Sequence, residues 1–242
     1  MRLAKRVSDI GESVTLEITS KAKSMAKEGI DVVSFAAGEP DFDTPDFIKQ
    51  AAIKAINEGF TKYTPSSGML ELREAIARKF KKDNNLDYSP AEIVVSNGAK
   101  HSLYNIFQAI CEKGDEVIIP APYWLSYPAM VNLAEAKSVF VDTDLKNNFK
   151  VTEKNLAAKI TNNTKCMILN SPSNPTGALY SLDELKVIAR LAVKHKFFVI
   201  SDEIYEKLVY DNKPYVSIGS LGKDIHDLTI TVNGVSKSYS MT

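Results

Sequence analysis

Residues 166–205 read CMILNSPSNPTGALYSLDELKVIARLAVKHKFFVISDEIY, and this stretch decides the fold. Met167–Leu169 is a short apolar run. Ser181-Leu-Asp-Glu184 has capping-box spacing, with a hydroxyl at the N-cap and a carboxylate three residues on. From Leu182 to Lys194 apolar residues recur at helical intervals, and Phe197–Ile200 is a second apolar run. A strand, a helix and a strand in that order predict parallel pairing with the helix as crossover.

The same alternation extends outward. Further strand-like runs lie at Ile93–Val95, Val117–Ile119, Val139–Val141 and Leu228–Val232. Helical patterns fill most of the gaps, at His101–Cys111, Tyr127–Ala134 and Glu153–Ile160. This pattern predicts an α/β fold: a mostly parallel sheet covered by helices on both faces. Upstream, Thr44 reads as an N-cap and Pro45 as the first helical residue of a helix through Ile48, Ala52 and Ile56 that stops near Gly59. A second helix is expected from Leu70 to about Lys82, and a weakly amphipathic one over Val14–Lys27. Residues 1–35 read as an N-terminal arm that packs elsewhere, and residues 36–242 as one large domain.

Composition bounds the function. Of 242 residues 44% are hydrophobic, enough to build a core. Thirty basic residues balance thirty acidic ones, so charge gives no support to nucleic-acid or anionic-membrane binding. Two cysteines, Cys111 and Cys166, build neither a disulfide framework nor a Cys-rich metal site; they read as free thiols in a reducing compartment. The basic start is followed by no apolar signal region, and no apolar run approaches the roughly 20 residues of a membrane span. The expected location is the cytoplasm.

In parallel sheets ligands sit at the carboxyl ends of the strands, so the residues following each run carry the chemistry. Gly98-Ala99-Lys100 offers free backbone N–H groups at a helix start, suited to a phosphate; taken alone, a plain βα turn with a glycine is the better reading. Trp124, the one tryptophan, offers a flat π face or is a core aromatic. Asp202 directly follows a buried run; it holds a cationic ring nitrogen or caps the next turn, with Tyr205 close by. Asn174 lies in a stiff loop and donates to a phenolate or carboxylate, or forms an Asx turn. Lys237, between Ser236 and Ser238 past the last run, is placed to form a Schiff base with an aldehyde, although most lysines are simply solvated. Taken together, these groups fit pyridoxal phosphate. A dinucleotide-binding oxidoreductase fits less well, because no G-x-G-x-x-G follows any run.

Ser201-Asp-Glu-Ile-Tyr205, Asn170-Ser-Pro-Ser-Asn-Pro-Thr-Gly177 and Ser236-Lys-Ser-Tyr-Ser-Met-Thr242 resemble the signatures of the class I, fold-type-I aminotransferases. Ala37-Gly-Glu-Pro-Asp-Phe42 and Lys62-Tyr-Thr-Pro-Ser-Ser-Gly68 resemble the bacterial and archaeal aspartate aminotransferase subgroup. The resemblance implies that Lys237 carries pyridoxal 5'-phosphate and moves the Cα proton, that Asp202 pairs with the pyridine nitrogen, and that Tyr205 and Asn174 meet the ring oxygen. It implies that Trp124 stacks on the ring, and that Gly98, Ala99, Lys100 and Ser236 lie on the phosphate side. Gly38, Trp124 and Asn174 would meet the substrate, and Tyr63 would reach the phosphate of a neighbouring subunit in a homodimer. The implied reaction transfers an amino group between an amino acid, aspartate or glutamate, and a 2-oxo acid. Lys100, Ser13 and Thr15 lie where they would meet a side-chain carboxylate. Ile10-Gly-Glu12 stands where relatives acting on prephenate tend to carry a basic residue, which argues against prephenate as main substrate.

The family pattern continues past Met241-Thr242 with Gly-Trp-Arg, whose arginine grips the phosphate, and later with a small domain. The expectation is therefore an N-terminal portion of a longer enzyme that by itself binds cofactor weakly and transaminates poorly. A lyase using the same site, or a non-catalytic cofactor-binding or dimerisation module, are the rival readings.

Overall fold

The computed structural model describes residues 4–8, 10–11, 14–35 and 38–242, and the side chains of residues 14–16 lie outside the description. Its centre is a five-stranded parallel sheet in the order β2-β1-β3-β4-β5. The strands are β1 (Glu116–Ala121), β2 (Lys137–Asp142), β3 (Thr164–Asn170), β4 (Phe198–Asp202) and β5 (Thr229–Val232). Among the described residues the helices in chain order are α1 (Lys5–Ser8), α2 (Val14–Lys27), α3 (Asp46–Asn57), α4 (Leu70–Lys79), α5 (Ala99–Ile110), α6 (Ser126–Leu133), α7 (Glu153–Ala157), α8 (Leu182–His195) and α9 (Lys223–His226). Helices α5 and α6 cover one face of the sheet, and α8 covers the other.

The pleat sends successive side chains to opposite faces, and both faces are apolar. Val117, Ile119, Cys166, Ile168 and Ile200 join Leu103, Phe107 and Val131 in one core. Ile118, Met167, Leu169 and Val199 join Leu185, Ile188, Leu191 and Phe197 in the other. Burial on both sides is why these strands appear in sequence as continuous apolar runs rather than alternations. The α8 capping box is present: Ser181 Oγ accepts from the Glu184 N–H at 3.4 Å, and Glu184 Oε2 accepts from the Ser181 N–H at 2.7 Å.

Several expectations need correction. Ile93–Val95 is not a strand of this sheet. Ile93 is buried but Val94 is 64% exposed. The segment runs against the turn before it, where the Val95 N–H donates to the Ser67 carbonyl at 3.0 Å. A Cβ on Gly68, whose φ is +96°, would lie 2.6 Å from Val95 Cγ2, so this close approach requires glycine. Thr44 does not cap the helix that follows, α3 (Asp46–Asn57); its hydroxyl donates to the Ser240 carbonyl, tying the segment before α3 to the segment past β5. The helix from Leu70 is α-helical to Lys79 and finishes in a π-helical turn, Phe80–Asn84, closed by Asn85 in the left-handed conformation. The helix from Glu153 ends at Ala157. Cys166 is buried and Cys111 half-buried, and the two free thiols are hydrogen-bonded to each other. No helix among the described residues is long and apolar enough to cross a membrane.

Candidate active site

From β1 the chain passes to β2 on one side and returns to β3 on the other, so strand order reverses between β1 and β3. Such a reversal opens a crevice at the carboxyl edge. A cleft there is lined by Ile119, Tyr123, Tyr127, Ile168, Asn170 and Asn174.

Asp202 is the last residue of β4 and 3% exposed. Its Oδ2 accepts from the Tyr127 hydroxyl at 2.6 Å, and its Oδ1 from the Ile204 N–H at 3.3 Å. Burial pushes its carboxyl above the ordinary range, against the pull of those two bonds. A cation placed beside it would reverse that shift. The hydroxyl of Tyr127 is pushed well up, by burial first and by the neighbouring Asp202 charge second.

The strand ends are cross-tied. Asn170 pairs in register with Asp202 and donates from Nδ2 to the Asp202 carbonyl at 3.0 Å. The Asn170 Oδ1 accepts the Asn174 N–H at 2.7 Å, which bends the loop so that Asn174 Nδ2 reaches the Tyr205 hydroxyl at 3.5 Å. The peptide bonds before Pro172 and Pro175 in this loop are cis. Thus the loop is shaped by the Asn170 side chain, whose bond spans four residues, and the Asn174 amide faces Tyr205. Burial raises the Tyr205 hydroxyl, while the bond from Asn174 works in the opposite direction.

Trp124 is half-buried, and the Tyr127 ring meets it edge-on with centroids 5.4 Å apart. The Lys100 ammonium lies over the indole, 5.0 Å from its centroid. Lys100 therefore sits at the aromatic platform rather than only at the helix start. Gly98 is the N-cap of α5 with φ 81°, without a side-chain cap, so the N–H groups of the first turn at Ala99 and Lys100 lack intrahelical partners.

β5 lies beside β4 with Val232 opposite Asp202, and Lys237 follows five residues on, after Ser236. The Lys237 ammonium donates to the Gly38 carbonyl. That contact brings residue 38 to the sheet edge, across 199 positions of sequence. The structure thus brings Asp202, Tyr205, Asn174, Trp124 and Lys100 into one connected set, and Gly38 and Lys237 into a second at the end of the adjacent strand. Tyr63 stands apart and fully exposed. Glu12, Ser13 and Ala37 lie outside the described residues, as does the side chain of Thr15.

Sequence reasoning missed Tyr127 and Asn170. Tyr127 looked like the first apolar residue of a helix. A tyrosine three positions from the only tryptophan, one helical turn away, was the available signal, since a buried phenol needs a partner. The Asn233 Nδ2, just past β5, is buried without a hydrogen-bond partner among the described residues, an orphan donor at the same sheet edge.

The profile described as Aminotransferase class I and II matches residues 30–242, and the chain belongs to that family. Over 242 residues it is 51% identical to the aspartate aminotransferase of Bacillus subtilis (strain 168), covering 100% of this chain and 62% of the relative. Over 240 residues it is 50% identical to the probable aspartate/prephenate aminotransferase of Aquifex aeolicus (strain VF5), covering 99% and 61%. The solved structure of Thermus thermophilus aspartate aminotransferase with maleate superposes with a TM-score of 0.95 at 45% identity, covering 100% and 62%. That of the Rhizobium meliloti aspartate aminotransferase superposes with a TM-score of 0.96 at 44% identity, covering 100% and 61%. The chain therefore spans 61–62% of the length of these relatives.

Proposed function

We propose that the chain is the cofactor-binding portion of an aspartate aminotransferase, which moves an amino group between aspartate or glutamate and a 2-oxo acid with pyridoxal 5'-phosphate. The observation that carries this reading is the buried Asp202 carboxylate at the sheet edge, with the Asn174–Tyr205 pair beside it and Lys237 five residues past the end of the neighbouring strand.

The donor set suits the cofactor group by group. Asp202, destabilised as an anion by burial, gains from a pyridinium N–H. Asn174 and Tyr205 supply donors for the ring oxygen, and Trp124 a face for the ring. The α5 N-terminus at Gly98, Ala99 and Lys100, with the Ser236 hydroxyl, suits a dianionic phosphate. Lys237 would hold the aldehyde carbon. When bound, the cofactor supplies an electron sink for the pair released on Cα deprotonation. Lys237, as a free amine, takes and returns the Cα proton. Tyr127 orients Asp202, and Asn170 sets the Asn174 loop. Gly38 and Asn174 would orient the substrate carboxylate.

Two observations favour a dicarboxylic substrate: the Lys100 cation at the Trp124 platform, and the relative solved with maleate, itself a dicarboxylate. A homodimer with Tyr63 serving the neighbouring site is supported by that tyrosine's full exposure among other exposed aromatics. Cytoplasmic residence is supported by the two free thiols. The division of the chain at residues 35 and 36 is supported by the exposure of Val33 and Phe35, 77% and 93%.

The test is an absorbance spectrum of the chain with excess pyridoxal phosphate. A visible band that is lost in Lys237→Ala, and that changes on adding aspartate, is expected. An identical band in the Lys237→Ala protein would overturn the assignment.

A further inference from the structure

Beyond β4 the chain sorts its side chains in two directions. Asp202 and Tyr205 reach the set just described. Glu203 and Glu206 enter a separate buried cluster, 1% and 6% exposed. The Glu203 Oε1 accepts from the hydroxyls of Ser217 at 2.6 Å and Ser201 at 2.8 Å. Its Oε2 accepts from Asn84 Nδ2 at 3.1 Å, and the Tyr215 phenol is a further donor. Glu206 accepts from Asn84 at 2.6 Å and pairs with the Lys79 ammonium, which also donates to Asn84 Oδ1 at 2.6 Å. Asp83 and Lys207 form an ion pair at the rim of the same cluster.

Two buried carboxylates with one ammonium are a poor way to fill a core. Apolar side chains of similar volume often stabilise as well or better. What the cluster achieves is connection. It joins the end of the helix from Leu70 and its π turn, the last residues of β4, and the 215–217 segment. These attachments fall on Glu203, Glu206 and Lys207, within five residues of Asp202. The backbone of that turn makes few other bonds: the Glu203 N–H donates to the Val232 carbonyl, the Ile204 N–H to Asp202 Oδ1, the Glu206 N–H to the Glu203 carbonyl and the Leu208 N–H to the Tyr205 carbonyl.

We propose that Glu203 is a positioning residue, whose carboxylate, gripped by Asn84, Ser201, Ser217 and Tyr215, holds the 202–206 turn so that Asp202 and Tyr205 face the cofactor ring together. This rests on the pyridoxal phosphate reading. Glu203→Gln keeps the shape but replaces an acceptor with an N–H2 group. The charge is gone and one accepting oxygen remains where there were two, so the donors facing the N–H2 group lose their charged acceptor.

The experiment uses the whole chain, with Asp183→Asn, an exposed site, as control. Without cofactor, hydrogen exchange is read at residues 203–208. With excess pyridoxal phosphate, the apparent affinity and the pH midpoint of the visible band are read. Glu203→Gln is expected to speed exchange at Glu203 and Glu206 about tenfold while β1 is unchanged, as loss of one charged hydrogen bond implies. It is also expected to weaken cofactor binding about tenfold and move the band midpoint, because Asp202 is displaced and its charged neighbour lost. Ser217→Ala, which removes one donor and no charge, should give a smaller change of the same kind and serves should Glu203→Gln fail to fold. Unchanged exchange at 203–208 in the folded variant would overturn the proposal. So would a lowered Tm with affinity and midpoint as in the parent. Absence of any band in the parent would sink the cofactor reading instead, and the exchange data would still decide Glu203.

Discussion

The sheet and the N-terminal layer obey different rules. In the sheet, apolar residues find partners within the chain: Phe107, Val117, Ile118, Ile200 and Phe197 are wholly buried. In the layer over residues 33–72 most of the large apolar side chains described do not. Neither α3 nor the helix from Leu70 to Lys79 buries any residue. Phe42 is 79% exposed, Phe47 72%, Phe60 61% and Leu70 51%. Large apolar side chains exposed in such number suit a covering partner. The sheet buries its apolar residues within the chain, and the exposed layer is the ground on which the homodimer was proposed above. Among the described residues two polar contacts run from this layer to the segment past β5: Lys237 to Gly38, and Thr44 to Ser240.

The sharpest break of this comparison is a core truncation. Phe197→Ala should cost about 3–5 kcal/mol, a large share of a domain's stability, and denaturant melts should show it. Tyr127→Phe removes a buried hydrogen bond to a carboxylate and should cost about 1.5–3 kcal/mol in the same melts. It should also weaken pyridoxal phosphate binding, because Asp202 loses its orienting donor. Asp202→Asn should act in the opposite direction on the cofactor-free chain. The folded Asp202 binds its proton more tightly than the unfolded one, whose pKa is about 3.9. Its contribution to stability is therefore full at acid pH and falls as pH rises toward the folded value. The asparagine variant lacks this slope, so its melting temperature relative to the parent should rise from acid to neutral pH; Glu203, shifted the same way by burial, keeps a residual slope in both. Ser181→Ala at the α8 cap should cost about 1 kcal/mol. Smallest in stability is Phe47→Ser in the exposed layer, which should leave the melt of the isolated chain unchanged yet reduce its self-association in sedimentation. A melt that falls as far as that of Phe197→Ala would mean the layer is core after all.

Much of the site was legible because the fold class places strand ends together. Asp202, Asn174 and Lys237 were each ambiguous alone, and each had a plain structural alternative. Their shared position after apolar runs is what the periodicity disclosed. Where a run was short and one-sided, as at Ile93–Val95, apolar content suggested a strand that the neighbouring turn and its glycine had claimed. Thr44 shows a related limit: its local pattern matched an N-cap, but a carbonyl 196 positions away took its hydroxyl.

The sequence by itself determined the parallel sheet, its helical crossovers and the line of chemical groups along one edge, since burial on both faces and capping are local patterns. Only the tertiary structure decided which hydroxyl reaches Asp202, that Asn170 rather than Asn174 shapes the loop, and that Glu203 faces away from the residue beside it. Those choices depend on hydrogen-bond partners drawn from distant segments, and no local pattern carries the address of a distant donor.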